Sequence, residues 1–261
     1  INQYFLKDGW VEHDAIEIWL GIKKLISKIL KNNQIVNSNI VSIGITNQRE
    51  TTVLWNKKSG KPVSRAIVWQ DRRTSSYCKK LKEKGLEKTI QNITGLVIDP
   101  YFSATKIKWI IDNNQTAKKI LKKGDLLFGT IDTWLIWNLT ERKSHITDIT
   151  NASRTMLFDS KKEEWSKKLL KLFKIPEKIL PKVVENSYDF GSTSLFGGKI
   201  NIGGVAGDQQ AATIGQACFK KGQSKSTYGT GCFLLMNIGK DFKKSSNKLL
   251  TTVAFKINGK K

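Results

Sequence analysis

Sulfur and imidazole are scarce in this chain, which has 3 Cys and 2 His in 261 residues. Cys78, Cys218 and Cys232 lack the even number and regular spacing of a disulfide framework, and none forms a CxxC pair, so they read as reduced thiols. His13 and His145 have no nearby ligand set, which argues against zinc, and any metal is expected to be a hard ion held by carboxylates. Runs approaching the roughly 18 apolar residues of a membrane span are absent, as is a charged-apolar-small leader, and a cytoplasmic location is the expectation. Arginine is sparse as well. It occurs at Arg49, Arg65, Arg72, Arg73, Arg142 and Arg154, so the net charge of +23 is almost wholly lysine. Specific phosphate and base recognition favours the arginine fork, and the lysines are spread along the chain, so no specific nucleic-acid partner is expected.

What is present is core. A hydrophobic share of 39% with 8 Trp and 11 Phe supports one sizeable globular domain near the upper size limit. No repeat period or low-complexity tract interrupts it. Ile1 opens the chain without an initiator Met and Asn258-Gly259-Lys260-Lys261 follows a strand-like run, so residues 1–261 are expected to be a domain incomplete at both ends.

The clearest helix follows Asp14, where Asp14-x-x-Glu17 predicts a capping box and Ile18, Trp19, Ile22, Leu25, Ile26, Ile29 and Leu30 predict one core face opposite a lysine face. IVSIGIT alternates at Val41, Ile43 and Ile45 as a strand does, TTVLW returns across NKKSG, and AIVWQ reads as a further strand closed by Trp69. Residues 72–172 read as mainly helical. Strands are expected again in NIGGVAG, SKSTYGT, CFLLMNI and LLTTVAF, giving an α/β domain with a mixed sheet and a helical insertion.

Four places could carry chemistry. Arg49 and Glu50 stand together at a strand end, where open α/β sheets bind ligands, and offer a donor and an acceptor to a polyhydroxy compound or else a surface ion pair to each other. Trp69 and Tyr101 could cover the C–H face of a polyol, or simply pack in the core. Asp208, between GGVAG and QQAATIG, suits either a helix N-cap or a group that a ligand approaches across glycines. Gly229-Thr230-Gly231 could present N–H groups and a hydroxyl to a phosphate, or be an ordinary turn.

Taken together, ITNQRETT, AIVWQDRRT, NITGLVIDPYFSATKIKWI, LLFGTIDTWLIWNLT, TDITNASRTML, GVAGDQQAA and STYGTGCFLLMN resemble the corresponding segments of bacterial glycerol kinases in order and spacing. YFSATKIKWIIDN resembles the signature of the wider FGGY family of carbohydrate kinases. The resemblance covers nearly the whole chain. It implies a ribonuclease-H-like (actin-like ATPase) α/β domain, the substrate-binding first domain of a carbohydrate kinase, without its first strands and second domain. The implied activity is ATP-dependent phosphorylation of glycerol to sn-glycerol 3-phosphate, with another polyol or ketose as the alternative acceptor. Arg49 and Glu50 then hold glycerol hydroxyls, Trp69 and Phe233 pack against its carbons, and Tyr101 and Gln209 add contacts. Asp208 becomes the catalytic base and a metal-binding carboxylate, for aspartate is ionised at neutral pH and can take the hydroxyl proton. Thr230, with Gly229 and Gly231, is placed on the nucleotide phosphates. ATP and Mg²⁺ are the implied cofactors, ADP the released nucleotide, and a homo-oligomer the implied whole enzyme.

Two departures from the family pattern stand out. Nothing resembling its phosphate-gripping DxGTTS segment precedes the helix, so the chain alone is expected to lack kinase activity. At GGKINIGG, Lys199 stands near the position where bacterial relatives often carry an arginine-containing loop used for inhibition by fructose 1,6-bisphosphate, and lysine lacks the bidentate fork.

Overall fold

The strand Ile200–Gly207 is the axis of the structure, a computed structural model that describes residues 1–229 and 231–261. It pairs in parallel with Ile43–Asn47 and antiparallel with Ser192–Thr193. Gly207 lies opposite Asn47, so both parallel strands stop at the same level and deliver Arg49, Glu50 and Asp208 to one edge of the sheet. Alternation fixes which side chains face inward: Ile45, Ile202 and Val205 are buried, whereas Gly44 and Thr46 are exposed.

A second pair, Val53–Asn56 with Leu126–Gly129, is antiparallel. Leu54, Leu126 and Phe128 enter one core cluster with Phe102, Ile107, Ile110 and Phe173. Val53, Trp55 and Leu127 enter another with Trp134, Ile202 and Val205. A strand buried on both faces shows a continuous apolar run instead of alternation. For that reason LLFG, inside the stretch expected to be helical, is a strand. Ile146–Asp148, in the same stretch, is also a strand and pairs in parallel with Lys182–Val184.

The helical insertion comprises Ser75–Glu83, Glu87–Thr94, Ser103–Asn113, Gln115–Lys122, Ile131–Leu139, Ile149–Ala152 and Lys167–Phe173. LLTTVAF departs from expectation. It forms no strand and is fastened by separate bonds, such as Thr251 N–H to the Gly95 carbonyl at 2.9 Å.

The first helix spans Ala15–Asn32, and Asp14 caps it by accepting from the Ile16 and Glu17 amides. Glu17 does not complete the box. Its carboxylate accepts from the Asn2 amide at 2.8 Å and so fastens the N-terminal segment instead. Of the expected core face only Ile18 is buried, with Ala15 at the helix start beside it, while Leu25 and Ile29 are exposed. Trp134 anchors the helix start by donating its indole N–H to the Ala15 carbonyl at 2.8 Å. Among the described residues no helix is long and apolar enough to cross a membrane.

Candidate active site

Arg49 crosses the end of the central strand. A Cβ on Gly207 would lie 2.6 Å from Arg49 Cγ and Cδ, so this position must be glycine for the guanidinium to pass. Arg49 Nε then stands 3.0 Å from Asp208 Oδ1, with its N–H off the line to the oxygen, so the contact is an ion pair more than a hydrogen bond. Nη1 donates to Gln210 Oε1 at 3.2 Å. Gln210 is fully buried and donates onward to the Val253 carbonyl, so it aims Arg49 from behind.

Asp208 is the first residue of the helix Asp208–Gly215, and Gly207 holds the cap position without a side-chain cap. Its carboxylate accepts from the next amide, Gln209 N–H, at 2.8 Å and remains 43% exposed. The cap alternative is therefore not the one built. A carboxylate in a helix's first turn is favoured by the helix dipole, and here it is open to a ligand.

Glu50 has φ 60°, a left-handed backbone that strains a non-glycine residue by about 1–3 kcal/mol. Its carbonyl accepts from both Ser103 Oγ and Thr52 Oγ1 at 3.1 Å, which holds the strained turn. The carboxylate is buried and receives Arg154 Nε at 2.6 Å.

Three aromatic residues from distant segments meet beside these charges. Trp69 lies edge-on to Tyr101 at 5.6 Å and to Phe233 at 6.1 Å, and the Arg49 guanidinium is 5.9 Å from the Phe233 ring. Trp69 sits two residues beyond the strand Ala66–Ile67 rather than closing it. Tyr101 is fastened through its backbone: Asp99 accepts its amide at 2.9 Å, and Lys106 Nζ donates to its carbonyl at 2.6 Å. Burial and the Glu50 charge raise the Tyr101 hydroxyl pKa while Arg154 and Arg49 pull it back, so the phenol is a neutral donor at ordinary pH. Lys106 is wholly buried, and desolvation brings its pKa down to about 7 in spite of Glu50, Asp71 and Asp99 nearby.

Gln209 is also buried. Lys225 donates to its Oε1, and to Thr227 Oγ1 at 2.7 Å, and the Gln209 amide NH₂ has no acceptor among the described residues. Burial and Arg49 lower the Lys225 pKa, with Asp208 opposing them. Lys225 belongs to the hairpin Ser224–Tyr228 with Cys232–Met236. At its turn Gly229 N–H reaches the Gly231 carbonyl at 3.2 Å. A Cβ on Gly231 would lie 2.8 Å from Phe233 Cε2 and 3.6 Å from Trp69 Cη2, so glycine lets the turn close against the aromatic group. Thr230 lies outside the described residues.

Beneath the site runs a buried polar cluster. Asp148 caps the short helix Ile149–Ala152, accepting from the Thr150 and Asn151 amides, from both their side chains, and from Asn186 Nδ2. Burial and the neighbouring Asp132 raise the Asp148 pKa, against the pull of these donors. Thr150 Oγ1 accepts from Gly207 N–H at 2.9 Å, and Asn151 exchanges amide hydrogen bonds with Asn47 at 3.0 Å in both directions. The ends of both parallel strands are thus tied to one helix.

The structure brings Arg49, Glu50, Trp69, Tyr101, Asp208, Gln209, Gly231 and Phe233 together at the ends of the parallel strands, with Gly229 exposed at the hairpin turn. Sequence reasoning gave no role to Gln210, Lys225, Arg154 or the Asp148 cluster. For Arg154 the sequence offered only rarity, one of six arginines, since its burial belongs to the fold. Among the described residues no group of three or more His, Cys, Asp or Glu is placed to hold a metal ion. Asp208 is an exposed single carboxylate, which suits a magnesium ion whose other ligands are phosphates and water.

Comparison with known proteins agrees with this architecture. A glycerol kinase of Treponema denticola is 57% identical over 260 residues, covering 98% of this chain and 52% of that protein. One from Petrotoga mobilis is 56% identical over 260 residues, covering 99% of this chain and 52% of that protein. The crystal structure of Plasmodium falciparum glycerol kinase with ADP superposes with a TM-score of 0.93 at 41% identity, over 98% of this chain and 52% of that one. A xylulose kinase from Brucella ovis, at 23% identity and TM-score 0.78, shares the fold over 90% of this chain and 48% of its own. The chain spans about half the length of the curated relatives it matches. Residues 1–215 match the N-terminal domain of the FGGY family of carbohydrate kinases, and the chain belongs to that family.

Proposed function

We propose that the protein is a glycerol kinase, transferring the γ-phosphoryl group of ATP to glycerol to give sn-glycerol 3-phosphate and ADP. The observation that carries the reading is a half-exposed Asp208 paired with Arg49, whose guanidinium in turn borders the aromatic group of Phe233, Trp69 and Tyr101. That pairing matches a small polyol, which has hydroxyls to be held and C–H surface to be covered.

Phosphoryl transfer depends on positioning and charge neutralisation. Glu50 accepts from one hydroxyl, while Arg49, Tyr101 and the Gln209 amide donate to hydroxyl oxygens. Trp69 and Phe233 cover the carbons. Asp208 accepts the proton of the primary hydroxyl as its oxygen bonds to the γ-phosphorus and the bond to the β–γ bridging oxygen breaks. Arg49, beside Asp208, keeps the carboxylate oriented. Gly229, Thr230 and Gly231 are assigned to the nucleotide phosphates. A magnesium ion arriving with the nucleotide would be shared by Asp208 and would offset phosphate charge. A cytoplasmic, homo-oligomeric whole enzyme completes the reading.

Turnover assayed at its relatives' full length tests it, with glycerol and xylulose supplied in competition. Glycerol is expected to have the higher kcat/KM. Preference for the pentulose would instead assign the site to another member of the family.

A further inference from the structure

Glu50 is held by a cation to which neither the sequence motifs nor the proposed reaction gives a part. Arg154 follows the helix Ile149–Ala152, is 4% exposed, and places Nε 2.6 Å from Glu50 Oε1. Its guanidinium lies 5.3 Å from the Tyr101 ring and 5.1 Å from the Phe102 ring. One cation therefore touches two residues assigned to the alcohol, one from the turn after strand Ile43–Asn47 and one from the turn before helix Ser103–Asn113.

We propose that Arg154 is a positioning residue that sets the site's affinity for the alcohol by fixing Glu50 and Tyr101 relative to each other. The reason lies in the geometry of a carboxylate. It has two oxygens, and Arg154 engages Oε1, whereas Oε2 has no hydrogen-bond donor among the described residues. Oε2 is then the acceptor presented to a hydroxyl. A buried carboxylate without its cation would either turn toward water or take up a proton, and in both cases the charged acceptor aimed at the hydroxyl is lost. The guanidinium lies near both the Tyr101 and Phe102 rings and reaches Glu50 through Nε, a spread of donors along a planar fork that an ammonium, a point charge, does not have.

Arg154 sits in the buried layer that also ties down both strand ends, so a purely structural role is the competing account. The two differ in what they move. A positioning role raises the glycerol KM and leaves kcat and the ATP KM nearly unchanged, and it acts through Glu50. A structural role impairs all three together, lowering kcat and raising both KM values, and is indifferent to Glu50.

The inference rests on the proposed glycerol reading, so wild-type turnover is measured first. If the wild type uses another polyol, the same experiment is read on that alcohol. At the relatives' full length, Arg154→Met is expected to raise the glycerol KM by about tenfold or more, the scale of losing a charge-assisted hydrogen bond, with kcat and ATP KM changed by less than about threefold. Arg154→Lys should fall between it and wild type. In a Glu50→Gln background, Arg154→Met should add less than about twofold. If Arg154→Met does not fold, the same cycle is run with Arg154→Lys, which strands no charge. Unchanged glycerol KM in both variants overturns the proposal. So do parallel losses in kcat and ATP KM, or full additivity with Glu50→Gln.

Discussion

The two sides of Asp208 are built by different means. On the side of Arg49 and Glu50, the strand ends are bonded to Thr150 and Asn151, the helix bearing those residues is capped by Asp148, and Asn186 closes the cluster, all buried. On the other side the hairpin of Ser224–Tyr228 and Cys232–Met236 holds itself by its own ladder, with Tyr228 81% and Leu234 76% exposed. Lys225 is the buried member that ties the hairpin to Gln209. The contrast teaches where rigidity is built in before any ligand arrives: the groups proposed to meet an alcohol at hydrogen-bond distance are fixed from behind, while Gly231 of the hairpin lies against Phe233 and Trp69.

Four substitutions test that contrast, from the largest expected effect to the smallest. At the relatives' full length, Asp208→Asn removes the proposed proton acceptor where the two sides meet and is expected to lower kcat by about 10³-fold, within the usual range for a general base, with little change in glycerol KM. Retained turnover would mean that the proton leaves by another route. Asn151→Ala leaves the buried Asn47 amide without its partner, and urea unfolding should register a loss of about 2 kcal/mol. Lys106→Met removes a buried ammonium that holds the Tyr101 carbonyl. Its folded pKa of about 7 lies below the unfolded value of 10.5, so above pH 7 the unfolded chain binds the proton that the native chain does not, and stability rises with pH. Wild type should therefore gain about 1 kcal/mol more than Lys106→Met over the first unit above pH 7. Parallel slopes would remove Lys106 from the account. Tyr228→Ala, on the open face of the hairpin, should change unfolding free energy by less than about 0.5 kcal/mol. A loss equal to that of Asn151→Ala would erase the contrast.

Legibility in the sequence followed the same division. The strand at Ile43–Asn47 was readable because one face is exposed and the apolar residues alternate. LLFG was not, since burial on both faces removes the alternation and leaves four residues that a buried helix could equally contain. LLTTVAF has the composition of a strand and no partner strand, which composition cannot reveal. Arg49, Glu50 and Asp208 could be picked out because glycines and strand ends surround them. Arg154, Gln210 and Asn151 could not be given roles, because each acts through a side chain far away in the chain, and Lys225 acts through Gln209 across the break between helix and hairpin. Asn47 and Asn151 are 104 positions apart, as are Glu50 and Arg154, and Arg49 and Gln210 are 161 apart. Pairings at such separations are decided by the fold and leave no local periodicity.

Gly207 shows that a site's inventory can include a missing atom. A survey of substitutions along the chain would rank alanine at 207 among the mild changes by size, polarity and helix preference. Its single methyl group would occupy the space through which the Arg49 side chain runs. The guanidinium would have to withdraw from Asp208 and Gln210 together, so the variant would behave as an active-site mutant at a position with no side chain to contribute.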